Sequence, residues 1–136
     1  MNGVLSVLKY KSYVVEKIEF LNNDNFLAQD EGIELKFDFD ADFDMDERSN
    51  DMAVILQCHI FENAEANNYP FEMNVVLKGF FEIEGSHNNI DRFKSNALAI
   101  LFPYLRALIS SFTANANVAP IILPAININA FLDSKK

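Results

Sequence analysis

The sequence predicts an α+β domain: a four-stranded antiparallel sheet packed on one long C-terminal helix. Three observations carry this. Ile33, Leu35, Phe37 and Phe39 alternate strictly with Glu34, Lys36, Asp38 and Asp40, the period of a strand with one dry and one wet face. From Ile90 onward, apolar residues return every three or four positions, as on a helix. Residues 97–132 hold a single charge, Arg106, in a chain of net charge −9. Such an apolar stretch must be buried internally, against another subunit or against an apolar partner.

The elements follow in order. Tyr13 to Leu21 is rich in β-branched and aromatic residues and predicts the first strand, closed by a polar turn at Asn22, Asn23, Asp24 and Asn25. The alternating segment is the second strand and an acidic loop follows it. Met52 to Phe61 is a third strand, apolar on both faces. Asn63 to Asn68 supplies a turn, and Tyr69 to Glu84 a long fourth strand with Phe71, Met73, Val75 and Leu77 on one face. Short or moderate connections between neighbours predict a meander. Gly85, Ser86, His87, Asn88 and Asn89 break the sheet, and an Asn caps the helix that starts near Ile90.

That helix carries two apolar stripes. One is Ile90, Phe93, Ala97, Leu101, Tyr104 and Leu108; the other is Leu98, Phe102, Leu105, Ile109 and Phe112. One stripe suffices to seat a helix on its own core, so the second predicts cover by another copy of the chain. The expected oligomer interface is Phe93, Ala97, Leu101, Tyr104, Arg106 and Leu108. Pro103 removes a backbone donor and predicts a kink or break near Ala99 to Pro103. Asn115 to Pro124 reads as a loop. With no linker or repeat, the 136 residues form a single domain, 1–136, large enough to bury roughly 68% of the unfolded surface.

Composition excludes several function classes. Half the residues are apolar and thirteen are Phe, which places the chain among globular proteins. Its acidic excess, with Lys and Arg scattered, opposes nucleic-acid binding. A lone Cys58 cannot form an intrachain disulfide and the first residues lack the pattern of a secretion signal, so a cytoplasmic location is expected. Residues 97–112 fall short of the ~20 needed to span a bilayer and include Arg106 and Pro103, which argues against membrane insertion.

No constellation assembles an enzyme. Asp38, Asp40, Asp42, Asp44, Asp46 and Glu47 invite a calcium reading, yet the sixth position from Asp38 is Phe43 where an EF-hand needs Gly, and the twelfth is Ser49 where it needs Glu. A solvated strand end that keeps an edge soluble fits better, with Ca²⁺ or a basic partner as the alternative. Cys58 and His59 are neighbours on a strand and point to opposite faces, which opposes a nucleophile and base pair. One Cys and two His cannot complete a zinc site without carboxylates, and the four glycines are too dispersed for a phosphate loop. No metal, cofactor or catalytic residue is therefore expected. Arg106 either pairs with a carboxylate across a subunit interface or lays its stem on apolar surface with its head in water. Val118, Ile121, Ile122, Leu123 and Ile126 form either a satellite core beneath their loop or an exposed apolar groove, composition favouring the core.

The order of residues resembles a known family. Ile100, Leu101, Phe102, Pro103 and Tyr104, then Arg106, Ile109, Ser110 and Ser111, resemble the long first helix of SecB-type export chaperones. Leu123, Pro124, Ala125, Ile126 and Asn127, then Ala130 and Phe131, resemble the segment leading into the second helix. Gly79, Phe80, Phe81, Glu82 and Ile83 resemble the G-x-F-x-I strand end before the first helix.

This resemblance implies four-stranded subunits that pair into eight-stranded sheets, and two dimers packed through their long helices into a homotetramer, a dimer of dimers. It also implies apolar grooves that hold unfolded chains. Val118, Ile121, Ile122, Ile126, Ile128 and Phe131 are the groove residues expected here, and the resemblance turns the loop cluster from core to groove. Function is then that of an ATP-independent holdase for unfolded or precursor polypeptides, serving export or stabilising an antitoxin.

Two departures accompany it. Five residues follow Phe131, so the second helix is expected to be short or missing. The family docks the SecA motor through acidic residues on the first and fourth strands; Lys17, Leu21, Glu72 and Asn74 fall near those positions and only Glu72 is acidic, which puts SecA docking in doubt. Toxin–antitoxin and phage members of the family suit a short chain of this kind. The alternatives are a purely structural oligomerisation module and a hot-dog-like small-molecule enzyme; the latter normally places its helix between strands and needs acid and base groups.

Overall fold

The computed structural model describes residues 7–46, 48–85 and 87–135. Glu47 of the acidic run and Ser86 of the sheet-to-helix break lie outside the described residues. The elements are β1 (Val7–Asn22), β2 (Phe37–Asp46), β3 (Asp51–Ile60), α1 (Ala64–Asn67), β4 (Phe71–Glu84), α2 (Ile90–Asn115) and α3 (Ile128–Ser134). The second helix is present and short, seven residues capped by the Asn127 side chain, which accepts from the Ala130 amide.

All four strands pair antiparallel, but the order is β1-β4-β3-β2. This corrects the meander: only β2, β3 and β4 follow one another, and β1 lies beyond β4 in a Greek-key arrangement. The reason is the length of the first connection. β2 starts at Phe37 rather than Ile33, and residues 23–36 are long enough to carry the chain across the end of the sheet. β2 also continues to Asp46, where an acidic loop was expected. Asp disfavours strands in general; here the apolar row Phe37, Phe39, Ala41, Phe43 and Met45 packs inward and holds the segment extended.

Period two governs the core. Met52, Val54, Leu56, Cys58 and Ile60 of β3, with Phe71, Met73, Val75, Leu77, Phe81 and Ile83 of β4, are each at most 2% exposed. Full burial of each large side chain contributes on the order of 1.5–3 kcal/mol. Gly79 lets α2 come close: a Cβ there would lie 2.7 Å from both Leu101 methyls.

Both helical stripes are used within the chain. Phe93, Ala97 and Leu101 of the first and Leu98, Phe102, Leu105 and Ile109 of the second are all buried, because the broad sheet takes one side and the returning segment 116–135 covers part of the other. Periodicity therefore does not demand a second copy: Phe93, Ala97 and Leu101 are buried within this chain, Leu101 against Gly79 of β4. Tyr104 is exposed; its ring stacks on Tyr13 with centroids 4.6 Å apart. Leu108 is half-buried. Nor does Pro103 break α2, which is helical throughout; Pro103 itself is exposed. By length and composition α2 could cross a bilayer, but its apolar faces pack on the sheet of this chain.

Candidate functional site

Two connections and the end of the sheet enclose an apolar cleft. Its volume is about 490 Å³. One wall is the 23–36 connection, through Phe26, Ala28, Ile33 and Leu35; the opposite wall is the 116–127 connection, through Val118, Ala119 and Ile121; Phe61, Pro70 and Phe71 form the floor. Gln29 is its one polar side chain among the lining residues. Around this region Leu27, Ile33 and Ile122 are exposed, by 74%, 40% and 74%, and so offer apolar surface to a ligand.

The floor is an aromatic cluster. Phe61 sits 4.9 Å from Tyr69 and 5.2 Å from Phe71 between ring centroids. Its φ of 55° is left-handed, an unusual conformation for a bulky residue; it places the ring under the cleft at the exit of β3. Asn63 and Asn68, at φ 56° and 54°, bracket α1 in the same left-handed region, which Asn tolerates better than most residues.

Each wall is held differently. Across from α2, the Arg106 Nε donates to the Leu123 carbonyl at 3.0 Å, and the Ser110 hydroxyl donates to the Ile121 carbonyl at 2.7 Å. The buried Thr113 hydroxyl accepts from the Ile121 amide at 2.9 Å and donates to the Ile109 carbonyl at 2.8 Å. The Arg106 head is thus held within its own chain through Nε, 5.9 Å from the centroid of the Phe102 ring. At the other wall, Asn23 donates to the Tyr69 carbonyl, and the Asn68 amide both donates to and accepts from the backbone of Leu27.

Of the expected groove residues, the structure brings Val118 and Ile121 to the cleft. Ile122 is exposed, and Ile126 and, from α3, Ile128 and Phe131 are partly buried against the core. Leu123 is fully buried, so the loop cluster divides between core and cleft. Phe26, Leu35, Phe61 and Phe71 escaped the sequence reading as groove residues; apolar Phe26, Leu27, Ile33 and Leu35 within a polar connection were the available signal. The Cys58 thiol is fully buried, and burial together with the nearby Asp38 charge pushes its pKa up to about 12, which leaves it a poor nucleophile. Leu21 pairs with Glu72 on the sheet, and the Glu72 carboxylate accepts from the Ala64 amide at 3.1 Å.

The site is thus an apolar cleft at one end of an antiparallel sheet that is backed by a long helix. The chain belongs to the SecB family: the model for that family, described as Preprotein translocase subunit SecB, matches residues 11–136. It is 39% identical over 124 residues to Uncharacterized protein MJ0357 of Methanocaldococcus jannaschii, covering 89% of this chain and 79% of that protein. Among solved structures, its fold is similar to the SecB-like chaperone Rv1957 of Mycobacterium tuberculosis, in complex with a ChAD peptide from the Rv1956 HigA1 antitoxin. That match has a TM-score of 0.67 and 13% identity, covering 88% of each chain. A protein of unknown function from Streptococcus agalactiae shares the fold at a TM-score of 0.53 and 13% identity, covering 90% of this chain and all of that one.

Proposed function

We propose that this protein is an ATP-independent chaperone that holds non-native polypeptides in the cleft between the 23–36 and 116–127 connections. The observation that carries the reading is the cleft itself: about 490 Å³, lined almost wholly by apolar side chains and flanked by exposed Leu27, Ile33 and Ile122. Membership of the SecB family supports a chaperone role. Apolar side chains of an unfolded client enter such a site without sequence-specific hydrogen bonds, and several weak contacts on one client multiply into useful avidity. Holding the unfolded chain shifts its population by mass action, so no nucleotide is needed.

The client is an unfolded or precursor polypeptide in the cytoplasm. An antitoxin is one such client, supported by the antitoxin peptide bound to the SecB-like neighbour. The homotetramer proposed from the family resemblance would use Tyr104, Leu108 and their surroundings on the less covered side of α2.

Light scattering from a chemically denatured protein diluted into buffer, with and without this chain and with no nucleotide, tests the proposal. Suppressed aggregation is expected, and its loss in Ile33→Asp, which puts a charge at an exposed cleft position. An intact oligomer that suppresses nothing across several clients would favour the structural module.

A further inference from the structure

Part of the 23–36 connection is a strap that divides two cavities. Two turns frame it: the Phe26 amide donates to the Asn23 carbonyl at 3.1 Å, and the Gly32 amide to the Gln29 carbonyl at 3.3 Å, with Gly32 left-handed at φ 74°. Phe26, Gln29, Gly32 and Ile33 line the cleft of about 490 Å³ and also a neighbouring cavity of about 190 Å³, which Asn68 and Tyr69 line as well. One side chain grips the strap. The Asn68 amide group accepts from the Leu27 amide at 2.9 Å and donates to the Leu27 carbonyl at 3.0 Å, so it satisfies both backbone groups of one residue. Among the described residues, no other group outside 23–36 hydrogen-bonds residues 26–35. Side-chain burial adds little at 26–28: Leu27 is 74% exposed, Ala28 is exposed, and Phe26 is half-buried without joining the core.

We propose that residues 26–28 are an internal stand-in for the client, which a client displaces. With the cleft empty, Phe26 lines it and Asn68 holds the Leu27 backbone. An arriving segment puts its own aromatic or aliphatic side chain in the place of Phe26 and the backbone of its next residue in the grip of Asn68. The inference rests on the chaperone reading and adds to it an autoinhibitory contact and a rule of selection. The gripped residue must supply both an N–H and a C=O, which excludes proline. Its side chain faces water, as that of Leu27 does, so its identity is otherwise free.

The grip is built without the strap's help. Asn68 closes α1 in the left-handed region, at φ 54°, and the Tyr69 amide beside it donates to the Ala64 carbonyl at 2.8 Å. The Ala64 amide in turn donates to the Glu72 carboxylate of β4. Asn68 therefore stays in place when Leu27 leaves, with a donor and an acceptor ready for another backbone. The strap covers apolar surface that an empty cleft would expose. It also sets a threshold: a tethered segment competes at an effective concentration on the order of millimolar. A client must then gain contacts beyond the place of Phe26, and exposed Ile122 on the opposite connection offers one.

The test is fluorescence anisotropy on the full chain with a labelled peptide that copies residues 23–31, and with the same peptide carrying N-methyl-leucine in place of its leucine. Phe26→Ser weakens the strap alone, so it should bind the copy on the order of tenfold more tightly than the wild type does. The N-methylated copy, and the double variant Phe26→Ser with Asn68→Gly, should each lose that gain. A second readout needs no variant. Unfolded client added to the wild type should speed hydrogen exchange at the Leu27 amide, because the strap leaves its grip. A strap that is only a wall of the cleft gives the reverse: Phe26→Ser binds the copy no better, and client slows exchange at Leu27 or leaves it unchanged. Either result would overturn the inference, and equal binding of the N-methylated copy would overturn the grip by Asn68. If the wild type still suppresses client aggregation when these results fail, the chaperone reading stands without the strap; if it holds no client at all, both fall.

Discussion

The two walls of the cleft are built from connections of similar character and are held in opposite ways. Residues 116–127 are fastened along their length to α2 by Arg106, Ser110 and Thr113, with Leu123 driven fully into the core. Residues 23–36 are tied near their start by Asn23 and by Asn25, which donates to the Glu65 carboxylate, at Leu27 by Asn68, and at their end by the Lys36 carbonyl, which accepts from the Phe61 amide, while Leu27 and Ile33 remain exposed. One wall is anchored by the buried Leu123 and Thr113, the other mainly by exposed polar contacts that leave apolar residues facing outward. A site for varied clients gains from this division, since a fixed wall keeps the cleft open and a looser one adapts to what enters.

Breaking the fixed wall should have the largest effect. Leu123→Ala removes a side chain with no exposure, and a loss of about 2–5 kcal/mol is expected from transfer and cavity terms together. Chemical denaturation measures it, and aggregation suppression should fall as well. Thr113→Val keeps the shape but strands the Ile121 amide, with an expected cost of about 1–3 kcal/mol in the same measurement.

The looser wall should respond differently. Asn68→Gly retains the left-handed backbone and deletes both bonds to Leu27. Stability should change by less than about 1 kcal/mol, because both bonds are exposed. Hydrogen exchange at the Leu27 amide should accelerate, as should proteolysis within residues 23–36. If the two variants of the fixed wall proved no more destabilising than Asn68→Gly, the distinction between the walls would be wrong.

Cys58, on an inner strand of the sheet, supplies a reference outside both walls. Its folded pKa of about 12 stands above the ordinary value near 8.5. The folded state therefore holds the proton more tightly. This contribution is fully present below about pH 8.5 and is lost as pH rises through about 12. Thiol reagents at neutral pH should label Cys58 only through opening of the sheet: slowly in the wild type, no faster in Asn68→Gly, and faster in Leu123→Ala.

Much of this architecture was legible in residue order, where burial follows a simple period. The rows Phe71, Met73, Val75, Leu77 and Phe37, Phe39 could be assigned to faces before any coordinates, and the Gly79 to Ile83 segment with the Leu101 to Ser111 helix pointed to the SecB family. What was not legible depended on distance between segments. The place of β1 beside β4 follows from where the 23–36 connection runs. The fate of the second helical stripe depends on the returning segment, and Arg106 found a carbonyl of its own chain that no local pattern announces. Half of the cleft was missed for a related reason: Phe26 sits in a connection without periodicity and Leu35 reads as part of the second strand, and they line a site only when brought opposite Val118 and Ile121.

The most direct test of the cleft as the client site is photocrosslinking to an unfolded client. A photoreactive residue would be placed at Ala119 or Ile33, which line the cleft, and at Val14, which pairs with Lys78 on the sheet face turned away from α2. All three positions are exposed. The account predicts strong client adducts at Ala119 and Ile33, weak ones at Val14, and competition by excess unlabelled client at the first two alone. Adducts concentrated at Val14, with none at Ala119 or Ile33, would contradict it.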